Sequence, residues 1–361
     1  MSLSLLFKVQ KILRPILLPV SKGYGAAMAR RERKYVHGEY ERFRPACPCI
    51  SVGNIGSGGS GKTPLADWLL KWAEREGLKT VLLTRGYGAK PARLPYPVNG
   101  FSPVDEAGDE PLMLANANPQ AKIIVDPVRK RSGAWAMGEF KPDLMLLDDG
   151  FQHMAVERDL DFVLLTPDDF TSGWNQVIPC GTWRESVLGM QRADVFFVKS
   201  GPRAFTQMRS LIKQRLAEFG RPVFQFELCA KGLKLLGGGE RLGFGSDKYL
   251  LFAGIGKPEI LREDAVEYMG RKPEEFMIFK DHHAYTAQDV ELIRKKAAAM
   301  GVKKIICTPK DAIKLTKLGC EDFYVIDLEV EFTESIFFDR TEEAPFNSWW
   351  NKQILTDAYS K

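Results

Sequence analysis

The sequence predicts an α/β fold in which a parallel sheet is covered by helices on both faces. From about residue 46, short and continuously apolar segments alternate with helical segments, as in parallel sheets that are buried on both sides. A Gly-rich loop stands between the first such strand and the first helix. The chain has 361 residues, of which 45% are apolar and 27% charged, so disordered, collagen-like and coiled-coil classes are excluded.

The first group of elements has the β-type segments and helices of a doubly covered sheet. Strands are predicted at residues 49–52, 80–84, 122–125, 143–147, 161–165, 194–198 and 222–228. A helix is predicted over 64–76, where Pro64 suits the first turn, and another over 204–220.

A Gly-rich stretch at 236–245 then predicts a turn or hinge, after which the alternation resumes. Strands are predicted at 249–254, 276–279, 304–308 and 323–327, and helices at 258–269 and near 286–300. The expected domain organisation is an N-terminal segment at 1–45, a core at 46–230, a hinge at 231–247 and a second, smaller α/β domain at 248–361.

Charge and cysteine content narrow the class of protein. Six cysteines in a chain of this length are too few for a disulfide scaffold, so a reducing compartment is expected. Cys47 and Cys49 have no second pair nearby, which argues against structural zinc. Residues 1–45 carry ten Lys/Arg against three Glu, whereas the whole chain has a net charge of +5. The basic character is therefore local, and a nucleic-acid surface is not predicted.

The N-terminal segment is amphipathic. Apolar residues recur at helical spacing at Leu5, Val9, Ile12 and Ile16. Lys8, Lys11 and Arg14 interrupt the apolar run that a membrane span or signal peptide would need. Pro15 and Pro19 are expected to interrupt any long helix. Two interpretations remain open: the segment lies on an anionic membrane surface, or it packs on the protein's own core.

The Gly-rich loop matches the phosphate-binding sequence GxxxxGK(S/T), placed between a strand and a helix as the mechanism requires. Its candidate nucleotide-binding residues are Gly56, Ser57, Gly58, Gly59, Ser60, Gly61, Lys62 and Thr63. The backbone N–H groups would surround phosphate oxygens, Lys62 would reach the β- and γ-phosphates, and Thr63 would bind Mg²⁺. The core is therefore expected to be a P-loop NTPase-like domain.

A pair of acids follows the predicted strand at 143–147. One of Asp148 and Asp149 would hold Mg²⁺ directly or through water, and the other would position metal, water or substrate. The segment Thr308–Asp311 lacks the spacing of a guanine-reading motif, so a GTPase switch is disfavoured.

Further segments resemble the tetraacyldisaccharide 4′-kinase family of the lipid A pathway. They are SVGNIGSGGSGKTP, TRGYG, GDEPLMLA, DDGFQH, RDLDFVLL, PCGTWRES, RADVFFV, DHHAY and TPKDAIKL. The resemblance implies transfer of the ATP γ-phosphate, with Mg²⁺, to the 4′-hydroxyl of tetraacyldisaccharide 1-phosphate in a cleft between two domains. It also implies a peripheral protein on the cytoplasmic face of the bacterial inner membrane, with no nucleic acid and no obligatory protein partner.

The resemblance also implies roles for single residues. A sugar hydroxyl needs a carboxylate to accept its proton, and Asp109 matches the family's base; the alternative is a helix N-cap. His282 matches the histidine that pairs with that acid. Arg129 and Arg184 match arginines of the active site, although Lys130 or Arg131 could replace Arg129.

Other matches carry weaker implications. Glu185 is expected to add a metal or hydrogen-bond contact. Asp281 and His283, beside His282, have no firm role, and His153 either shapes its loop or touches a ligand. Cys180 begins a Cys-Gly-Thr-Trp segment that departs from the family pattern. Two alternative functions are a nucleotide-switched, membrane-associated regulatory NTPase and a kinase for a soluble sugar or nucleoside.

Overall fold

The computed structural model describes residues 3–56, 59–339 and 343–357. The predicted loop residues Ser57 and Gly58 lie outside the described residues. The strands are β1 Cys49–Asn54, β2 Thr80–Thr84, β3 Tyr96–Val98, β4 Lys122–Val125, β5 Leu144–Asp148, β6 Leu160–Leu165, β7 Val195–Lys199, β8 Val223–Leu235, β9 Tyr249–Ala253, β10 Glu275–Ile278, β11 Lys304–Cys307, β12 Tyr324–Glu331 and β13 Ser335–Ile336. Each strand predicted from the sequence is present.

Helices alternate with these strands. They are α1 Leu3–Val36, α2 Lys62–Arg75, α3 Val104–Ala107, α4 Asp109–Ala117, α5 Arg129–Phe140, α6 Pro167–Phe170, α7 Pro202–Leu216, α8 Pro258–Met269, α9 Ala287–Ala299, α10 Pro309–Leu315 and α11 Phe346–Asp357. Short 3₁₀ turns cover Val187–Arg192 and Ala217–Phe219. The predicted α/β class is confirmed.

The strands form one sheet in the order β10-β9-β11-β12-β8-β7-β6-β1-β5-β2-β4-β3, with β13 beside β8. The neighbours from β8 to β4 run parallel, as do those from β10 to β12. The antiparallel pairs are β12 with β8, β13 with β8 and β3 with β4. Val52 of β1 is in register with Asp148 of β5. Because carboxyl ends of parallel strands share one edge, the loop after β1 and the acids after β5 lie side by side.

Helices cover both faces of the sheet, as predicted. On one face, Leu69 of α2 and Leu112 of α4 share a buried apolar cluster with Val52 and Leu146. On the other face, Ile212 of α7 packs with the side chains of β6 and β7 that point the opposite way. The alternation of side chains along each strand supplies both layers.

The N-terminal helix α1 corrects one expectation. Pro15 and Pro19 were expected to interrupt a long helix, yet α1 runs without a break from Leu3 to Val36 and contains both prolines. Each proline removes one intrahelical N–H donor. Contacts to the core partly offset this loss, because Ser21 donates its hydroxyl to the Val177 carbonyl at 2.9 Å.

Two packing features bear on the predicted domain division, which stays a prediction. Strand β8 continues to Leu235 and so passes through the start of the predicted hinge. Its first part pairs with β7 and its second part with β12. Helix α11 packs against the first group of strands, because its Phe346 and Trp350 lie in the cluster that covers β1 and β6.

Candidate active site

The loop between β1 and α2 has the backbone shape of a phosphate-binding loop. Gly61 precedes α2 with a φ of 90°, and a Cβ there would lie 2.7 Å from the Phe226 ring, so glycine is required. Of the other predicted glycines of this loop, Gly56 is buried and Gly59 is exposed. The Ser60 hydroxyl is buried and has no hydrogen-bond partner in the described part of the chain. A buried hydroxyl without a partner suits a site that a ligand's oxygen would fill.

The Lys62 ammonium lies at the carboxyl edge of the sheet. Its Nζ donates to Oδ1 of Asn54 at 3.2 Å and lies 3.6 Å from Oδ1 of Asp149. These contacts hold the positive charge beside the loop, where a nucleotide's terminal phosphates would meet it.

The two acids after β5 have different surroundings. Thr84 donates its hydroxyl to Oδ2 of Asp148 at 3.0 Å, while Oδ1 is buried and unpartnered among the residues described. Burial, with Glu110 and Asp149 nearby, raises the pKa of Asp148 to about 6. Asp148 therefore has an oxygen that a proton, a cation or a further hydrogen-bond donor would satisfy.

Asp149, in contrast, is engaged by two cations. Nη1 of Arg184 donates to both of its oxygens, at 2.9 and 2.8 Å, and Lys62 lies on its other side. Burial alone would raise the pKa of Asp149, but Lys62 and Arg184 outweigh burial and lower it. Asp149 thus positions these cations at the phosphate loop.

Thr63 leads to an acid that the sequence analysis did not select. Its hydroxyl donates to Oε2 of Glu110 at 2.8 Å, and Lys310 of α10 donates to the other Glu110 oxygen at 2.5 Å. Burial opposes ionisation of Glu110, yet Lys310, Thr63 and Lys62 lower its pKa. A residue of the second group of elements is thus linked to the phosphate loop.

Asp109 starts α4 next to Glu110. The helix is preceded by Gly108 and has no side-chain cap, so the alternative that Asp109 is an N-cap is wrong. Oδ2 of Asp109 lies 2.8 Å from Nδ1 of His282 and 2.9 Å from Nζ of Lys314. The structure therefore brings the predicted acid and histidine together across the two groups of elements.

Arg129 is the member of its basic run that faces the site. It is 4% exposed, and its Nη2 donates to the Asp148 carbonyl at 3.3 Å. Burial lowers the pKa of Arg129 despite Asp148 and Asp149. Lys130 instead contacts Glu41, and Arg131 contacts Asp126, so the geometry favours Arg129 over both neighbours.

Glu185, for which the sequence predicts a metal or hydrogen-bond contact, is surrounded by hydrogen-bond donors of the protein. It is 3% exposed; Gln152 donates to Oε1 at 2.9 Å and Arg192 to Oε2 at 2.7 Å. Arg192 also contacts Glu32 of α1. Both Glu185 oxygens thus accept protein donors, which argues against a metal ligand and favours the hydrogen-bond role.

The other histidines differ from His282. His283 contacts Asp289 at 3.1 Å and packs between Phe279 and Tyr285, so it holds its loop. Burial and neighbouring arginines lower the pKa of His153 to about 4. Its backbone N–H donates to the Gly150 carbonyl, which favours the loop-shaping interpretation.

The residues present fit a magnesium nucleotide. The unpartnered Oδ1 of Asp148 and the Thr63 hydroxyl supply hard oxygen ligands. The described residues contain no cluster of three His, Cys, Asp or Glu that would hold a metal by itself. Mg²⁺ held at a phosphate loop depends in any case on phosphate oxygens and water for its remaining ligands.

Glu110, Lys310 and Lys314 were not selected from the sequence. Glu110 stands next to Asp109 in GDEP, and the lysines are spaced by four residues in TPKDAIKL. That spacing places both on one face of α10. It is the signal that would have found them.

A mostly parallel sheet, a phosphate loop before a helix and paired carboxylates at the neighbouring strand end define a P-loop nucleotide-binding protein. Residues 13–343 match the family described as tetraacyldisaccharide-1-P 4′-kinase. The chain belongs to this family.

Individual relatives agree with the family match. The tetraacyldisaccharide 4′-kinase of Nitratidesulfovibrio vulgaris is 45% identical over 96% of this chain and 95% of its own length. That of Bdellovibrio bacteriovorus is 32% identical over 90% of this chain and 96% of its own. The crystal structure of LpxK from Aquifex aeolicus, in complex with ATP, has a TM-score of 0.70 and 27% identity, and covers 90% of this chain and 95% of that one.

Proposed function

We propose that the protein transfers the γ-phosphoryl group of ATP, with Mg²⁺, to the 4′-hydroxyl of tetraacyldisaccharide 1-phosphate in lipid A biosynthesis. The family match supports the reaction. The observation that carries the site is the position of Asp109: it contacts His282 and is adjacent to Glu110, whose carboxylate contacts Thr63 of the phosphate loop. A candidate base thus lies next to a candidate phosphate site.

In the proposed reaction, Asp109 accepts the proton of the 4′-hydroxyl as its oxygen forms a bond to the γ-phosphorus. The bond between that phosphorus and the β,γ-bridging oxygen breaks, and ADP leaves. His282, 2.8 Å from Oδ2 of Asp109, orients the carboxylate. Such proton transfer typically contributes on the order of 100- to 10,000-fold in rate.

The remaining charged residues hold the phosphates. Lys62 binds the β- and γ-phosphates, and Arg129 and Arg184 neutralise charge on the transferring group. Thr63 and Asp148 would hold Mg²⁺, which supplies further charge neutralisation on the phosphate oxygens. Asp149 keeps Lys62 and Arg184 in place.

Helix α1 supports a location at the membrane surface. Apolar residues on it remain exposed, namely Leu13, Ile16, Leu18 and Val20, and its amino-terminal half carries several Lys and Arg. In the described chain, no helix has both the length and the apolarity needed to cross a bilayer. We infer a peripheral protein that lies on the cytoplasmic face of the inner membrane and meets its lipid substrate there.

Labelled ATP tests the proposed activity. The protein is incubated with γ-labelled ATP, Mg²⁺ and tetraacyldisaccharide 1-phosphate in detergent, and the label in the organic phase is counted. We expect label in the lipid, and its loss in the Lys62→Ala variant. Release of inorganic phosphate without lipid labelling would contradict the proposal and favour the regulatory NTPase. Labelling of a soluble sugar or nucleoside instead would favour the third function.

A further inference from the structure

Lys314 is a buried cation for which the proposed reaction has given no role. Its side chain is 6% exposed and lies 2.9 Å from Oδ2 of Asp109, which is 12% exposed. Nζ is buried and forms no hydrogen bond of good geometry with another described residue. Burying an ammonium group is costly unless an opposite charge accompanies it. Asp109 is the group that compensates this charge.

The two partners of Asp109 approach the same oxygen. Nδ1 of His282 and Nζ of Lys314 both lie within hydrogen-bond distance of Oδ2. Two contacts at one oxygen restrain the position of Oδ2, and neither contact is made to Oδ1, so Oδ1 is the oxygen that we expect to accept the proton of a substrate hydroxyl.

Both partners are anchored to one buried residue. Asp311 is 0% exposed; its Oδ2 accepts from the Thr308 hydroxyl at 2.6 Å, at the start of α10. Its Oδ1 accepts from the Gly254 N–H and the Tyr285 hydroxyl, both at 2.9 Å. Gly254 in turn accepts the backbone N–H of His282 at 3.2 Å. Asp311 therefore fixes the helix that carries Lys314 and the loop that carries His282.

We propose that Lys314 is a positioning residue for phosphoryl transfer, which holds Oδ2 of Asp109 so that Oδ1 faces the acceptor hydroxyl. The inference rests on the proposed function, in which Asp109 is the base. Lys314 acts through Asp109 and does not touch the acceptor. Lys310, one turn earlier on α10, contacts Glu110. The same helix therefore holds both of the adjacent acids, Asp109 and Glu110, in position.

Steady-state kinetics of three variants test the role of Lys314. In Lys314→Met we expect kcat to fall on the order of 100-fold, because a misplaced reacting group has that effect, while the KM for ATP changes less than about threefold. Lys314→Arg keeps the charge, so its kcat should be at least about tenfold higher than that of Lys314→Met. Lys317→Met removes an exposed lysine nearby and should match wild type.

A double-mutant cycle separates positioning from a structural role. In an Asp109→Asn background, Lys314→Met should change the residual kcat by less than about twofold, because there is no base left to position. The same loss in both backgrounds, or an unchanged kcat in Lys314→Met, would overturn the inference. Should Lys314→Met fail to fold in a thermal melt, Lys314→Gln and Lys314→Arg take its place in the cycle. An inactive wild type would instead refute the proposed function.

Discussion

At the residue scale, the acids after β5 organise the positive charges of the site. Asp149 binds Arg184 and Lys62, and Arg129 donates to the Asp148 carbonyl. Each guanidinium is therefore held in place by oxygens of the protein itself. Such placement matters for catalysis because no reorganisation is then needed when charge develops on the phosphoryl group.

Substitution of Arg129 tests which residue of the basic run serves the reaction. Arg129→Lys keeps the charge but loses the planar fork, so we expect kcat/KM for ATP to fall roughly 10- to 100-fold. Lys130→Gln should stay within about twofold of wild type, because its ammonium contacts the exposed Glu41. A larger effect for Lys130→Gln than for Arg129→Lys would contradict the assignment.

Local motifs predicted part of this residue set. The sequence predicts Lys62, Thr63 and the acids after β5, because the phosphate loop and the strand end are each one continuous segment of the sequence. The contacts of Asp109 with Lys314 and of Glu110 with Lys310 join residues about 200 positions apart. No local pattern contains such a pair: the four-residue spacing of the lysines indicates a shared helix face, but their pairing with Asp109 and Glu110 emerges only from the fold.

At the element scale, α1 is a helix with one side attached to the core and an exposed apolar set. Arg14 donates to Gln176 at 3.1 Å, and Ser21 connects Val177 with the Cys180 N–H. Ile16 is 71% exposed and Val20 57% exposed. The helix therefore packs on the core, as one of the two interpretations of the sequence holds, and it still presents exposed apolar side chains; that it lies on a membrane surface stays a prediction.

The exposed side chains of α1 predict vesicle binding. In the double variant Ile16→Asp, Val20→Asp we expect partition into vesicles containing anionic lipid to fall at least about tenfold, since each buried side chain contributes about 1.5–3 kcal/mol. ATP binding should change little. The control Val36→Asp adds one carboxylate, against two in the double variant, at the other end of α1, where Val36 is 66% exposed, and should lower partition by less than about threefold. Equal partition of all three proteins would contradict a membrane role for α1.

At the scale of the whole molecule, helix α11 stabilises the nucleotide-binding core. The Trp350 ring lies 5.2 Å from that of Trp72 in α2 and 5.5 Å from that of Phe162 in β6. Phe346 stacks beside Trp350 and contacts Phe197 of β7. Helix α11 thus forms part of the apolar layer that covers one face of the sheet beneath the phosphate loop.

This packing predicts a large effect of Trp350 on stability. Trp350→Ala should reduce the free energy of unfolding by about 3–5 kcal/mol, because it leaves a cavity in a fully buried cluster. Asn347→Ala alters an exposed residue of the same helix and should stay within about 0.5 kcal/mol of wild type. Chemical denaturation measures both. Similar unfolding midpoints would mean that α11 contributes little to the core.

The strands of the sheet could be predicted from the sequence, but the position at which helix α11 packs could not. Apolar strands such as β5 and β6 are recognisable one by one, because a doubly covered sheet makes them continuously hydrophobic. Helix α11 follows the second group of strands, so position along the chain placed it in the second domain. Its packing against β6 and β7 depends on long-range contacts of Phe346 and Trp350, which no sequence period records.

The position of the new phosphate on the lipid tests the central claim most directly. The purified protein is supplied with ATP, Mg²⁺ and tetraacyldisaccharide 1-phosphate, and the recovered lipid is analysed by mass spectrometry and by phosphorus–proton correlation NMR. The account predicts a gain of one phosphoryl group, correlated with the proton on carbon 4′. Recovery of the unmodified lipid, or of lipid phosphorylated at another hydroxyl, would contradict it.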